Sequence, residues 1–217
     1  RNLFYLVIGL VLVFLTITFP VQLDGNWVTL LWVGEAAMLF RLGRTKNVSF
    51  YEKISYPLMI LALFSIIHDW IKGYGGYFPE DPATRITPLL NIHFISSLLF
   101  VSAFGYINLL NKRIKSPYSL SAIHLLPKVM SFLIPAILFI TLYFAFLLEI
   151  SNYWDQRYAD SMLKILKNSN NFSNYLWNSD LRNFKAVWLI NYSLLYISLL
   201  TFVNIRKFKN NLLGSIL

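Results

Sequence analysis

One acidic residue, Glu35, lies in an apolar run from Trp27 to Phe40 that holds no other charge. If this run crosses a membrane, the carboxylate lies near mid-bilayer, where it costs several kcal/mol unless it is paired or protonated. It must then face the interior of a helix bundle or a wet cavity. Gly34, Ala36 and Ala37 beside it allow a second helix to approach closely. Two interpretations stay open: Glu35 serves a proton-linked, cation-linked or substrate site, or it is a buried hydrogen-bonded anchor between helices.

Four more polar residues are predicted to lie on the outer side of the same membrane region. His68 and Asp69 end one apolar run, and Asn91 and His93 begin the next one. A contact between Glu35 and His93 would keep the carboxylate charged. We therefore predict one outward-facing polar binding cluster formed by these four residues and Glu35, with His93 or Asn91 as the contact partner of Glu35. The pattern identifies no catalytic residue.

Six apolar stretches must position these residues. They are Leu3–Phe19, Trp27–Leu42, Ile54–Ile71, Leu89–Leu110, Leu125–Leu148 and Ala186–Ile205. Each stretch is continuous rather than alternating and approaches the roughly 20 residues that a helix needs to cross a bilayer. Hydrophobic residues make up 57% of the chain and charged residues only 13%, which excludes an ordinary soluble domain. The sequence predicts an all-α, polytopic transmembrane helical bundle with six spans.

The chain is predicted to form a single transmembrane domain over residues 1–217. It begins with Arg1 at the edge of a span and ends in a segment typical of the start of another helix. We therefore expect it to be part of a longer polytopic protein. Its expected partners are membrane lipids, other membrane subunits or the remainder of the same chain.

Charge is distributed unevenly between the connections. The chain has 19 Lys and Arg against 10 Asp and Glu. Basic residues dominate the links after the second and fourth stretches and the segment after the sixth, whereas the other links are mixed. An excess of Lys and Arg marks the cytoplasmic side. We predict that both ends are cytoplasmic and interpret the surplus charge as a topology signal, not as a nucleic-acid site.

No motif predicts a metal or a cofactor. The chain has no cysteine, which excludes disulfides and thiolate metal sites, and its three histidines are too scattered for a local metal motif. It also lacks a phosphate loop, a dinucleotide fingerprint, a zinc helix motif and a nucleophile elbow.

The segment 149–185 is predicted to be an outer loop. Within it, Trp154, Tyr158, Met162 and Ile165 recur at helical spacing, which favours an amphipathic helix lying at the membrane interface. A plain connecting loop is the alternative. Glu149, at the exit of the fifth span, is interpreted as a polar cap at the bilayer surface.

Two spans share a local pattern. Trp32 is followed three positions later by Glu35, and Trp188 is followed at the same distance by Asn191. Both spans run from outside to inside, as a parallel repeat of a four-span unit would require. The alternative is the aromatic belt, which places Trp near membrane interfaces in any case. Trp32, Trp188, Asn191 and Glu149 are therefore assigned interface or structural roles.

Four segments carry a resemblance to a known family: GNWVTLLWVGEAAMLFRLG, PLLNIHFISSLLFVSAFGYI, FLLEISNYW and VWLINYSLLYISL. Together they resemble the bacterial multi-pass membrane family catalogued as domain of unknown function 2339. The family's marks fall on Trp32, Glu35, Ala36, Asn91, His93, Phe94 and Glu149. The family's basic position, expected to be Arg, is His93 in this chain. The resemblance implies a bacterial inner-membrane protein and no established activity.

Three functions are compatible with these patterns. The first is binding or movement of a solute or lipid through the polar cluster around Glu35. The second is an enzyme acting on lipid-linked or envelope glycans, and the third is a scaffold subunit of an envelope assembly. Enzymatic activity stays undecided, with a non-enzymatic role favoured. A cavity beside Glu35 would favour the first function, and a fully paired Glu35 without a cavity would favour the scaffold.

Overall fold

The computed structural model describes residues 25–114, 125–165 and 174–208, together with residues 7, 8, 11, 14, 16, 18 and 23. Between Asn26 and Val203 it contains five long helices. They are α1 (Asn26–Thr45), α2 (Ser49–Gly73), α3 (Ile92–Arg113), α4 (Leu125–Asp160) and α5 (Ser179–Val203). The shorter elements are a 3-10 turn (Pro82–Thr84), strands β1 (Leu163–Ile165) and β2 (Asn174–Leu176), and a π-helical turn (Asn204–Phe208). The described part of the chain is therefore predominantly helical, as the continuous apolar stretches predict.

Four of the helices are long and apolar enough to cross a membrane: α2, α3, α4 from Pro127 onward, and α5 with its continuation to Arg206. These four support an integral membrane protein. The predicted second span forms α1 but is not among the four, because Asn26, Glu35, Arg41 and Arg44 lower its apolar character. The predicted first span, Leu3–Phe19, falls largely outside the described residues. The full set of six spans is thus not supported.

The chain divides into two compact units, and the single transmembrane domain stays a prediction. Unit 1 comprises residues 1–75 and 90–142. In it, α1 packs along α2 and also against α3. The core of unit 1 is apolar and aromatic, and its fully buried side chains include Ala36, Phe40, Met59, Ala62, Ile66, Phe100, Phe104 and Ile107. The rings of Phe100 and Phe104 stack with centroids 4.7 Å apart.

Unit 2 comprises residues 76–89 and 143–217. The hydroxyl of Tyr143 on α4 lies 2.8 Å from that of Ser193 on α5, and the hydroxyl of Tyr192 donates to the carbonyl of Tyr143 at 3.0 Å. Further along, the ring of Trp154 stacks on that of Phe184. Partner numbers on α5 fall as those on α4 rise, so the two helical segments are antiparallel. No side chain of α5 is buried along its 25 residues.

The region after the fifth predicted span differs from expectation. Instead of ending at Leu148, α4 continues without interruption to Asp160, because no glycine or proline follows Pro135 within it. At about 1.5 Å per residue its 36 residues measure about 54 Å, against about 30 Å for a bilayer core. Trp154 and Tyr158 therefore lie on an extension of the span. The end of the predicted interfacial helix is instead β1, which pairs antiparallel with β2.

Candidate functional site

Glu35 contacts the predicted first span. Both of its carboxylate oxygens accept from the hydroxyl of Thr16 at 3.2 Å, and the indole N–H of Trp32 donates to the carbonyl of Thr16 at 3.1 Å. Trp32 and Glu35 lie three residues apart on one face of α1. Both side chains therefore form hydrogen bonds with Thr16. Glu35 thus bonds a polar group outside α1, namely Thr16, and the prediction of His93 or Asn91 as its partner was wrong.

His93 forms the centre of a hydrogen-bonded group where α1, α2 and α3 meet. Its Nδ1 lies 3.2 Å from the side-chain amide nitrogen of Asn26. Ser96 donates to Asn26 at 3.0 Å, and Ser97 donates to the carbonyl of His93 at 2.7 Å. The indole of Trp70 in turn donates to Ser97 at 2.8 Å. All three helices thus contribute a side chain to this group.

Asp69 belongs to an adjacent group of hydroxyls. The Thr29 hydroxyl donates to Oδ2 of Asp69 at 2.6 Å, and the Ser65 hydroxyl lies 2.6 Å from that of Thr29. Since the single proton of Thr29 points to the carboxylate, Ser65 must donate to Thr29. Asp69 is only 4% exposed. Its hydrogen bond to Thr29 satisfies part of a carboxylate that would otherwise be costly to bury.

We call these two groups together the hydroxyl network, formed by Asn26, Thr29, Ser65, Asp69, Trp70, His93, Ser96 and Ser97. Two predicted cluster members, Asp69 and His93, are in it. His68 is exposed, and Asn91 caps α3 by accepting from the backbone N–H of Phe94 at 2.8 Å. The hydroxyl members were missed, although their spacing was a usable signal. Asn26 and Thr29, Ser65 and Asp69, and His93 with Ser96 and Ser97 all recur at three or four residues, which places each set on one helix face.

A second polar group lies where α1 ends and α2 begins. Nη2 of Arg44 lies 3.0 Å from Oε1 of Glu52, which also accepts from the hydroxyl of Tyr56 at 2.6 Å. Arg44 donates further to the side chain of Asn111 and to the carbonyl of Ile114. Arg44 and Glu52 both lie close to the basic link that follows the second apolar stretch. In the structure they are a buried pair inside unit 1, although the exposed Arg41 and Lys46 still mark this connection as basic.

Unit 2 contains a cavity of about 390 Å³ between the end of α4 and the start of α5. We call it the aromatic–basic cavity. Its lining residues are Trp154, Asp155, Tyr158, Arg182, Lys185, Ala186 and Leu189. The ammonium of Lys185 bonds both carboxylate oxygens of Asp155 at 2.6 Å. Trp154 stacks on Phe184 with ring centroids 5.9 Å apart, and Tyr158 stacks on Trp177 at 6.5 Å.

A smaller cavity of about 260 Å³ lies beside the same end of α4, next to residues 85–88. Arg85 pairs with Asp160 at 3.3 Å, and the Tyr77 hydroxyl donates to the other oxygen of Asp160 at 2.8 Å. That hydrogen bond to an anionic acceptor raises the pKa of Tyr77 above its ordinary value. Deeper in this region, Gln156 donates to the carbonyl of Ile86 at 2.9 Å.

Glu149 also holds this loop. It is 4% exposed and accepts from the backbone N–H of Leu89 at 2.7 Å. Leu89 has a φ of 62°, an uncommon conformation for a residue with a side chain. The carboxylate therefore stabilises this uncommon backbone conformation in the connection before α3. Its predicted position at the bilayer surface stays a prediction.

The proposed repeat gains no support from these contacts. Trp32 bonds the predicted first span, whereas Trp188 is 54% exposed and Asn191 is also exposed. Within the ranges that the structure describes, no group of three His, Asp or Glu side chains could hold a metal ion.

No family model, curated protein or solved structure matches this chain. The resemblance to domain of unknown function 2339 stays a prediction.

Proposed function

We propose that this integral membrane protein binds a solute or lipid on its outer side, in the aromatic–basic cavity. The observation that carries the proposal is the cavity itself. It has a volume of about 390 Å³, within the range of roughly 300–1,000 Å³ that is usual for small-molecule sites. It combines aromatic faces, three charged side chains and an apolar floor, which is the composition of a site for an amphiphilic ligand.

The proposal includes a membrane topology. We propose six spans in a bacterial inner membrane, with both ends cytoplasmic and the cavity at the outer surface. The four apolar helices support membrane insertion, and the basic connections favour this orientation. Membership in the family of domain of unknown function 2339 would agree with the same location.

The binding site is proposed to lie away from Glu35. The carboxylate of Glu35 is bonded to Thr16, and the hydroxyl network is hydrogen-bonded between its own members. Both arrangements suit helix anchoring, which is the role of polar residues at helix interfaces in membranes. They supply the observation that favours the second candidate function, a scaffold subunit, for which the aromatic–basic cavity would have no ligand.

Filling the cavity tests the proposal. Ala186→Trp adds a large side chain to the lining, whereas Leu195→Trp adds the same side chain to an exposed position of α5 outside the cavity. Each protein is purified in a mild detergent, and native mass spectrometry measures the bound lipids and small molecules. We expect a bound species in the unmodified protein and in Leu195→Trp, and its loss in Ala186→Trp. Equal occupancy in all three, or no bound species in any, would leave the scaffold as the better interpretation.

A further inference from the structure

The charges in the aromatic–basic cavity do not balance. Asp155 is bonded through both oxygens to Lys185, so these two charges offset each other. The second cation of the lining, Arg182, is exposed and takes part in none of the ion pairs among the described residues. The cavity therefore presents one uncompensated guanidinium. A guanidinium offers a planar fork of donors that matches the geometry of a phosphate group.

Further along α5 from these cations, the lining is apolar. Ala186 is the first residue of the predicted sixth span, and Leu189 lies about one helical turn further along it. No side chain of α5 is buried, so the cavity is continuous with an apolar helix surface. Arg182 and Lys185 lie just before this span begins. A polar group held by Arg182 would thus lie at headgroup level, with the apolar part of the same ligand along α5.

The aromatic residues agree with this position. Trp154 and Tyr158 line the cavity, and such side chains concentrate at the depth of the lipid headgroups. Stacking on Phe184 and Trp177 holds their rings in place. A prepositioned wall loses less conformational entropy when a ligand binds.

We propose that the ligand is an amphiphile with a net-negative phosphate headgroup, whose phosphate is bound by Arg182 and whose acyl chain follows Ala186 and Leu189. This inference rests on the proposed function and names its ligand class. The same phosphate chemistry is available from soluble phosphate esters, so the test must separate a lipid from a free ester.

The test measures binding to the purified protein by native mass spectrometry in detergent. The probes are phosphatidylglycerol, a neutral diglucosyl diacylglycerol, and sn-glycerol 3-phosphate as competitor. We expect phosphatidylglycerol to bind more tightly than the neutral glycolipid. Arg182→Gln should weaken the binding of phosphatidylglycerol about tenfold, in line with the loss of one charge-assisted contact. Arg182→Lys should weaken this binding less, because the charge remains. Arg41→Gln, which removes an exposed cation in unit 1, is the matched control and should change nothing.

Three results would overturn the inference in different ways. In the first, both lipids bind equally, and this binding is unchanged by Arg182→Gln but abolished by Ala186→Trp. That result would refute recognition of a phosphate group and leave the proposed function intact. In the second, sn-glycerol 3-phosphate displaces phosphatidylglycerol at matching concentration. That result would refute a lipid as the ligand and identify a soluble phosphate ester instead. Absence of any binding that depends on Ala186 would refute both the inference and the proposed function. Because Arg182 is exposed, unchanged thermal unfolding of its variants is expected and confirms that they are folded.

Discussion

Arg44 and Glu52 form an ion pair with 3.0 Å between Nη2 and Oε1, and their side chains are only 4% and 0% exposed. The short link between α1 and α2 brings them together. Two charges removed from water are stable only when their remaining polar atoms are satisfied. Here Tyr56, Asn111 and the carbonyl of Ile114 satisfy most of these atoms, while Nε of Arg44 is buried without a hydrogen-bond partner among the described residues. The pair therefore fixes the relative position of α1, α2 and the end of α3.

Removing one partner of this pair should be strongly destabilising. Arg44→Ala leaves the Glu52 carboxylate buried without its countercharge, at an expected cost of about 3–5 kcal/mol in the free energy of unfolding. Arg41→Ala removes an exposed cation one turn earlier and should stay within about 0.5 kcal/mol of the unmodified protein. Equilibrium unfolding in detergent measures both. Equal stability of the two variants would show that the pair does not support unit 1.

Gly43 should not tolerate a side chain. A Cβ at this position would lie 2.7 Å from the backbone nitrogen of Glu52, so α1 and α2 would have to separate. We expect Gly43→Ala to lower the free energy of unfolding by about 1–3 kcal/mol. At Gly34, on the same helix, a Cβ meets nothing within 4 Å, and Gly34→Ala should be neutral or stabilising because alanine favours helices. A stable Gly43→Ala protein would contradict the close approach.

Glu35 should behave as an anchor rather than as a ligand-binding group. Glu35→Gln keeps an acceptor for the Thr16 hydroxyl, so we expect little change in stability or in ligand occupancy of the cavity. Glu35→Leu removes the acceptor and should cost about 0.5–1.5 kcal/mol. Combining Glu35→Leu with Thr16→Val tests the contact directly. The double variant should lose less free energy of unfolding than the two single variants lose in sum. Strict additivity, or loss of ligand in Glu35→Gln, would argue against this role.

The hydrogen bond between Tyr77 and Asp160 should be lost at strongly alkaline pH. The pKa of Tyr77 is raised in the folded protein above its ordinary value of 10.0. The bond therefore contributes stability fully below pH 10.0 and loses it as the pH rises through the higher folded-state pKa. Subtracting the tyrosinate absorbance of Tyr77→Phe from that of the unmodified protein isolates this titration. Asp160→Asn should move its midpoint down, and an unchanged midpoint would refute the assigned cause.

The predicted topology can be tested with single cysteines, because the chain contains none. Both Lys46, which lies just before α2 begins, and Gly75, which lies just after it ends, are exposed. We expect Gly75→Cys to react with an impermeant thiol reagent on intact cells. Lys46→Cys should react only after permeabilisation. The reverse pattern would invert the orientation and place the aromatic–basic cavity in the cytoplasm.

The sequence predicted the helices more completely than the contacts between them. Continuous apolar runs indicate helices through composition alone, and isolated charged or imidazole groups such as Asp69 and His93 stand out within them. Thr29 and Ser97 were missed because single hydroxyls are ordinary in apolar helices and become informative only when three helices bring them together. The aromatic–basic cavity was not predicted, since it depends on α4 continuing past Leu148, so that Trp154 lines one cavity together with Arg182 of α5.

The limited apolar character of α1 has a consequence for biogenesis. This helix is not among the four that are apolar enough to cross a membrane, and it contributes Asn26, Thr29 and Arg44 to bonds with α2 and α3. Released alone from a translocon, it would expose those groups to hydrocarbon, at a cost of several kcal/mol for the charged ones. If α1 is released together with α2 and α3, these polar groups are already paired. In the proposed six-span topology, we therefore expect α1 to enter the bilayer cooperatively, with retention beside the translocon until α3 has been synthesised.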